Sequence, residues 1–384
     1  MTKQVTIAYL LDVDDNHAHK WVSYFAANNY RVLLICEEGR TAPMYKNDNV
    51  TLLPVLPKTF PLRNIFAKQK AVRTLKKILH DYQVDVLHCI YVVPYAFWGY
   101  LSGFKNYIVT TFGSDVLVEY PAYSGRGSFG QRYTNSRLKA VFEESIREAV
   151  FLTSTSIRQR EVLDKITHTT NKHIIRTGVY ADQFIHLWEQ TPVPEKTDWV
   201  ILSNRAMRPL YNIDVIVKAF ALLVQRHPQH PFRLELINHH TDETYFEEIK
   251  ALIHELHLDK KVIIHPAQNL PGLVSCYKNA DVVVMIPSSD GTPVSGSEVM
   301  LAHRPLVIGP LRYDEDIFTN ETCWQTAAFT PEALADTLYS IYTTDAQRLK
   351  TFTDKAFAAS YSCADYEKEV RKIEELYLEI TGKG

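Results

Sequence analysis

Residues 288–300 read SSDGTPVSGSEVM and follow directly on the apolar run DVVVMIP (281–287). Two carboxylates, Asp290 and Glu298, stand in this stretch with seven residues between them, among hydroxyls, glycines and a proline. A polar turn at the carboxyl end of a buried strand is where open α/β sheets bind ligands. Pro293 suits the first position of a helix running to about His303, with Thr292 as N-cap, because its missing N–H would be unpaired there anyway. Free N–H groups at that helix end, together with the dipole, favour a phosphate or diphosphate. Glu298, more than a turn inside, could accept hydrogen bonds from two vicinal hydroxyls. Asp290, on the loop, could touch a sugar beside the phosphates. Ser295 and Glu298 equally fit a Ser-x-x-Glu capping box, in which Glu298 satisfies only backbone donors. The residue pattern leaves both readings open.

Positioning such groups takes strands and helices in alternation, and the chain has them. Apolar runs at 5–12, 31–38, 50–55, 84–91, 107–113 and 149–156 read as strands, with helical patterns between most of them, such as 19–28 and 65–80. Near-continuous apolar strands separated by helices predict a parallel sheet covered on both faces. Residues 186–198, HLWEQTPVPEKTD, break the pattern and read as a linker. The alternation restarts at 199–205, 232–238, 261–266, 281–287 and 305–310 and closes on a helix with Tyr366, Val370, Ile373, Leu376 and Tyr377 on one stripe. The expected architecture is α/β, with two Rossmann-like domains facing each other across a cleft.

The bulk numbers exclude several classes. The 384 residues are 46% hydrophobic and 22% charged with a net charge of -2, which offers nucleic acid no general attraction. No apolar run approaches the ~20 residues that span a bilayer. The N-terminal MTKQVTIAYLLDVDD reads as a first strand and not as a cleaved signal. Five scattered cysteines without a CxxC pair argue for a reducing, cytoplasmic setting and against a structural zinc.

The string SSDGTPVSGSEVMLAHRPLVIG resembles the acidic-x7-Glu signature of the retaining family-4 glycosyltransferases, in a form similar to their SDGTPVS subgroup. SNRAMRPLYNIDVIVKAFALL, RTGVYADQF, VDVLHCIYV and TTFGSDVLV are similar to further segments of that family, in the family's order. The resemblance implies the GT-B fold. Residues 1–188 would be an acceptor-side domain, 189–363 a nucleotide-sugar domain, and 364–384 a helix packing back on the first. It implies that Glu298 binds ribose hydroxyls, that Asp290 sits near the donor sugar and that Arg205 neutralises the diphosphate. Backbone from Gly291 through Thr292, Pro293 and Val294 to Ser295 would receive phosphate or sugar oxygens. Base recognition is expected near His265 to Asn269. Gly113, Ser114 and Asp115 would line the acceptor side, with His19 a candidate to reach the diphosphate or acceptor from the loop after the first strand. The donor would be a nucleotide-sugar, a UDP-sugar being the expectation, with no other cofactor and no metal. The acceptor would be a glycan or lipid-linked saccharide. Three positions depart from the pattern: Leu210 stands where a Lys is usual, leaving Arg208 as candidate second cation. Phe112 replaces a His, and a glycine-rich loop is replaced by DVDDNHAHKW, from which His17 and His19 are candidates to reach the diphosphate or acceptor.

Other signals carry two readings each. His17, His19 and His88 could be drawn as a metal site or as ordinary loop and strand histidines. Segment 62–80 carries Arg63, Lys68, Lys70, Arg73, Lys76 and Lys77 around an apolar stripe, which suits either peripheral contact with an anionic membrane or a solvated surface helix. Residues 119–133 read as an acceptor loop or a long connection. The competing functions are a non-catalytic GT-B glycan-binding or partner subunit and a sugar-nucleotide epimerase of the same fold.

Overall fold

The computed structural model describes residues 4–124 and 128–382, without the side chains of Asn16, His17 and Phe129. The chain forms two units: residues 1–177 with 368–384, and residues 178–367. The first contains β1 (Thr6–Leu10), β2 (Arg31–Glu37), β3 (Val50–Leu56), β4 (Val86–Ile90), β5 (Tyr107–Thr111), β6 (Phe151–Ser154) and β7 (Lys172–Ile174). Their order in the sheet is β3-β2-β1-β4-β5-β6-β7, and every recorded pairing is parallel. Every residue of β1, β4, β5 and β6 is buried, which is why these segments read as unbroken apolar runs.

The second unit contains β8 (Trp199–Ser203), β9 (Phe232–Asn238), β10 (Val262–Pro266), β11 (Val282–Met285), β12 (Leu306–Ile308) and β13 (Trp324–Gln325), ordered β10-β9-β8-β11-β12-β13 and again parallel. One core cluster gathers Phe184, Tyr277, Val299 and Phe318, and another gathers Ile216, Phe220, Leu334 and Leu338. Each unit is therefore a doubly wound Rossmann-like sheet whose strand order reverses once, between β1 and β4 and between β8 and β11.

The division falls at Thr177/Gly178, about ten residues before the boundary expected at 188/189. The reason is the helix Ala181–Gln190, whose Ala181 and Phe184 are buried in the second unit's core. Trp188, read as linker, lies under Lys278 (3.9 Å) and Arg304 (5.2 Å). Lys196 is likewise tied to Asp281 at 2.7 Å, so 186–198 is a connection inside the second unit. The chain passes back at Glu367/Lys368, within the tail helix Tyr366–Thr381. Its Tyr377 hydroxyl meets Tyr9 (2.8 Å) and His88 Nδ1 (2.5 Å), and Glu374 accepts from Tyr24 (3.0 Å) and Tyr30 (2.7 Å). His88 Nε2 meets Thr110 at 2.6 Å, and burial pushes this histidine down to about 3. Both ring nitrogens are thus used inside the first unit, one by the tail helix and one by β5, which removes His88 from any site shared with His19.

The stretch 119–133 is not an open loop where it is described. Residues 125–127 lie outside the described residues, while Tyr120–Ala122 and Phe129–Arg147 are helical.

Candidate functional site

The second unit's site grows from the two strands that flank its order reversal. β8 ends at Ser203 and feeds the loop Asn204–Arg208, then a tight turn at Pro209–Tyr211 before the helix Ile213–Arg226. β11 ends at Met285 and leads through Asp290 to the helix Val294–Leu301. Both loops leave the carboxyl ends of adjacent parallel strands, so their side chains converge.

Arg205 is the point of convergence. Its guanidinium donates from Nη1 to Ser295 Oγ (2.7 Å) and from Nη2 to Asp290 Oδ2 (3.1 Å), and lies over the Tyr211 ring at 4.4 Å. The two charged side chains are only 15% and 16% exposed, so their attraction is little screened. Arg205 Nε is buried without a partner among the described residues. Asp290 Oδ1 accepts from the Gly291 N–H at 2.8 Å. Burial raises the Asp290 carboxyl above its ordinary value, and Arg205 opposes that rise without cancelling it.

The helix starts at Val294, with Pro293 just outside it and not in its first turn. Thr292, expected to cap it, has its hydroxyl on Asp314 at 3.3 Å instead, and Asp314 donates its own N–H to Gly291 O at 2.9 Å. Ser295 is consequently inside the helix and engaged with Arg205, so the Ser-x-x-Glu capping box does not form. Gly296 lets this helix lie against Phe318, whose ring would be 2.8 Å from any Cβ there. Glu298 comes one turn on, where its Oε2 accepts from the buried Tyr277 hydroxyl at 3.1 Å. That hydroxyl accepts in turn from Asn204 Nδ2 at 2.5 Å. Burial, then the nearby Glu298, hold Tyr277 well above its ordinary value, so it stays a donor.

Glu298, Arg205 and Ser295 face a cavity of about 530 Å³ whose walls also include Arg208, Tyr211, His239 and Gln268. Arg208 donates from Nε to His240 O at 2.6 Å and lines this cavity, whereas Leu210 is 45% exposed. His265 is not among the lining residues: its ring pairs with the buried Glu235 at 3.0 Å, and its successors Ala267 and Gln268 reach the wall instead. Asp290, Gly291, Thr292, Pro293 and Val294 are also not among them. Tyr277, Asn204 and Tyr211 were missed from the sequence. Only the adjacency of Asn204 to Arg205 hinted at any of them.

The acceptor-side candidates lie in the first unit. Gly113 has φ +115, a conformation that suits glycine, and donates its N–H to Asp115 Oδ1 at 3.1 Å. Asp115 is buried and accepts further N–H bonds from Val116 (3.0 Å) and Val92 (3.1 Å). Burial pushes it up to about 6 despite those bonds. Its carboxylate thus ties two strand ends together, and Ser114 is the exposed member of the three. His19 lies in the helix Asn16–Ala27, its Nε2 3.2 Å from Met44 O and 3.3 Å from Ser23 Oγ, with Tyr45 edge-on. The His17 side chain lies outside the described ones. Phe112 packs against Trp21 and Tyr91. Among the described residues, no group of three or more His, Cys, Asp or Glu could hold a metal ion.

Residues 6–140 match the model of glycosyl transferase 4-like domains, and residues 186–356 that of glycosyl transferases group 1. A D-inositol 3-phosphate glycosyltransferase of Arthrobacter sp. is 30% identical over 118 residues, which is 31% of this chain and 28% of that protein. The crystal structure of a glycosyltransferase from Rickettsia africae superposes with a TM-score of 0.77 at 17% identity, covering 100% of both chains. Anabaena HepE, solved with UDP and glucose, gives 0.69 at 16% identity over 97% of this chain and 99% of its own. Two glycosyltransferase domain models and a shared GT-B fold place the chain among the glycosyltransferases.

Proposed function

We propose that this protein is a retaining, nucleotide-sugar-dependent glycosyltransferase that takes a UDP-sugar as donor and a glycan or lipid-linked saccharide as acceptor. It would work in the cytoplasm, in peripheral contact with a membrane. The observation that carries the reading is the joint presence of a guanidinium and a carboxylate, Arg205 and Glu298, on one cavity at the strand-order reversal. Its volume of about 530 Å³ falls in the range of small-ligand sites. HepE has been solved with UDP-glucose, which supports that donor class.

In this reading the ribose hydroxyls donate to Glu298, held in place by Tyr277, and the diphosphate takes up the guanidinium of Arg205. The bond between the anomeric carbon and the diphosphate oxygen breaks, and a bond to the acceptor oxygen forms on the same face. The acceptor's proton leaves with the diphosphate. Arg205 stabilises the negative charge that grows on that leaving group. Asp290, neighbouring Arg205, is assigned to the donor sugar. No metal is assigned a role, and Arg208 is the second cation.

Calorimetric titration of UDP, GDP, ADP and CDP into the wild type and Glu298→Ala tests it. One nucleotide should bind, and the variant should lose about tenfold to a hundredfold in affinity while melting normally. Binding that ignores the substitution would overturn the assignment of Glu298.

A further inference from the structure

Charge is segregated on the first unit. From residue 49 to residue 80 there is no Asp or Glu, while Arg63, Lys68, Lys70, Arg73, Lys76 and Lys77 crowd into half of that span. Most of these lie on the helix Ile65–Asp81, whose buried side is Ala71, Leu75 and Leu79. Among the described residues only Lys77 of the six has a carboxylate partner, Asp81 at 2.5 Å. A solvated helix of ordinary composition would interleave acids with these cations. The head of this helix also exposes apolar surface: Ile65 is 58% and Phe66 86% exposed, the latter more than any other large apolar side chain described. Phe66, Lys70, Arg73 and Lys77 recur at helical spacing, so ring and charges share a face.

The patch extends onto a second helix. Arg63 donates to Thr134 at 3.3 Å, which joins the head of the basic helix to Phe129–Arg147. Beside Thr134 stands Tyr133, 60% exposed, with the Arg137 guanidinium 5.8 Å from its ring centre. No acid occurs between Glu119 and Glu143. Further along the basic helix, a groove of about 320 Å³ has Lys68, Arg73 and Lys76 around Val72 and Leu101. Cations over an apolar floor suit an anionic headgroup with the start of its acyl chain. The basic helix follows β3, so its head stands at the carboxyl end of the sheet, where ligands of such folds enter, and the bond from Arg63 to Thr134 holds the second helix beside it.

We propose that this face docks on an anionic lipid bilayer, with Ile65 and Phe66 entering the headgroup layer, so that the acceptor is a lipid-anchored saccharide. The inference rests on the acceptor side of the proposed function and adds the residues and the lipid chemistry. A nucleic acid would satisfy the cations and could stack a base on Phe66, but it offers the aliphatic Ile65 beside that ring no apolar layer to enter.

The test is flotation of the full chain with vesicles of phosphatidylcholine containing phosphatidylglycerol, and with pure phosphatidylcholine. The protein should float with the anionic vesicles only, and less as salt rises. Phe66→Ser, and separately the pair Arg73→Glu and Lys76→Glu, should each lower the bound fraction about tenfold without changing melting or nucleotide binding. No flotation, equal flotation on neutral vesicles, or variants that float like the wild type would overturn it. So would retention on heparin or RNA, lost in the same variants, with no vesicle binding. Nucleotide titration is measured separately, so the donor-site reading and this one can fail independently.

Discussion

Arg205 is the residue on which the most distinct interactions meet, and its carboxylate partner and the proposed diphosphate make opposite predictions. Replacing it with Ala should weaken UDP about tenfold to a hundredfold and leave uridine unaffected, because a nucleoside offers no diphosphate. Calorimetry with both ligands checks this, and equal loss for both would mean a collapsed site. Asp290→Asn relieves the pairing at 3.1 Å, so UDP should bind as well or a few fold tighter while sugar transfer falls. A variant that transfers normally would remove Asp290 from the chemistry. Tyr277→Phe removes the donor to Glu298 and leaves Asn204 Nδ2 buried without an acceptor, which costs about 1–3 kcal/mol of stability in chemical unfolding. Arg205, 85 residues from Asp290, was singled out only through the family resemblance, whereas Asp290 and Glu298 were legible in the sequence because they share one turn and one helix. Tyr277 was not, because its hydroxyl reaches Glu298 across 21 residues and a tyrosine in SCYKNA looks like any core aromatic. The helix start was misplaced by one residue, since Asp314, distant in sequence, holds Thr292.

The elements were legible wherever burial made them long apolar runs. β7 and β13 were missed because three and two residues carry no periodicity and sit at sheet edges. The tail helix showed its stripe, but not that His88 would join it through Tyr377. That histidine predicts a pH effect whose sign follows from its environment. Its folded value is about 3 and the ordinary value is 6.5, so below 6.5 the unfolded chain binds the extra proton and the first unit loses stability as pH falls. The loss at pH 5 should be about 2 kcal/mol. Hydrogen exchange of the β4 and β5 amides would measure it, and in His88→Gln the step should be absent. A wild-type unit equally stable at both pH values would mean that His88 is not held neutral.

At the scale of the molecule, two Rossmann-like sheets were expected from the alternation, while the chain first crosses between its units about ten residues before the expected boundary. Its two crossings are fastened beside each other: Val179 exchanges backbone bonds with Ala364 (2.7 Å) and Tyr366 (2.8 Å). Gly178, at φ +66, would bring a Cβ within 2.5 Å of the Tyr366 Cα. Gly178→Ala should therefore lower the melting temperature by several degrees, since both the conformation and the space forbid a side chain. Deleting 368–384 should cost the first unit its exchange protection at β1 and β4 while UDP binding by the second survives. Loss of both together would contradict the division into units.

The same arrangement sets an order for biosynthesis. A ribosome delivers β1 to β7 before the second unit, yet Tyr9, Tyr24, Tyr30 and His88 wait for Tyr377 and Glu374, which follow that whole unit. The second unit, made from one uninterrupted stretch, can close during translation. Of the two units, the one begun first is thus finished second, and until the tail helix arrives its nascent sheet needs a chaperone more than the other does.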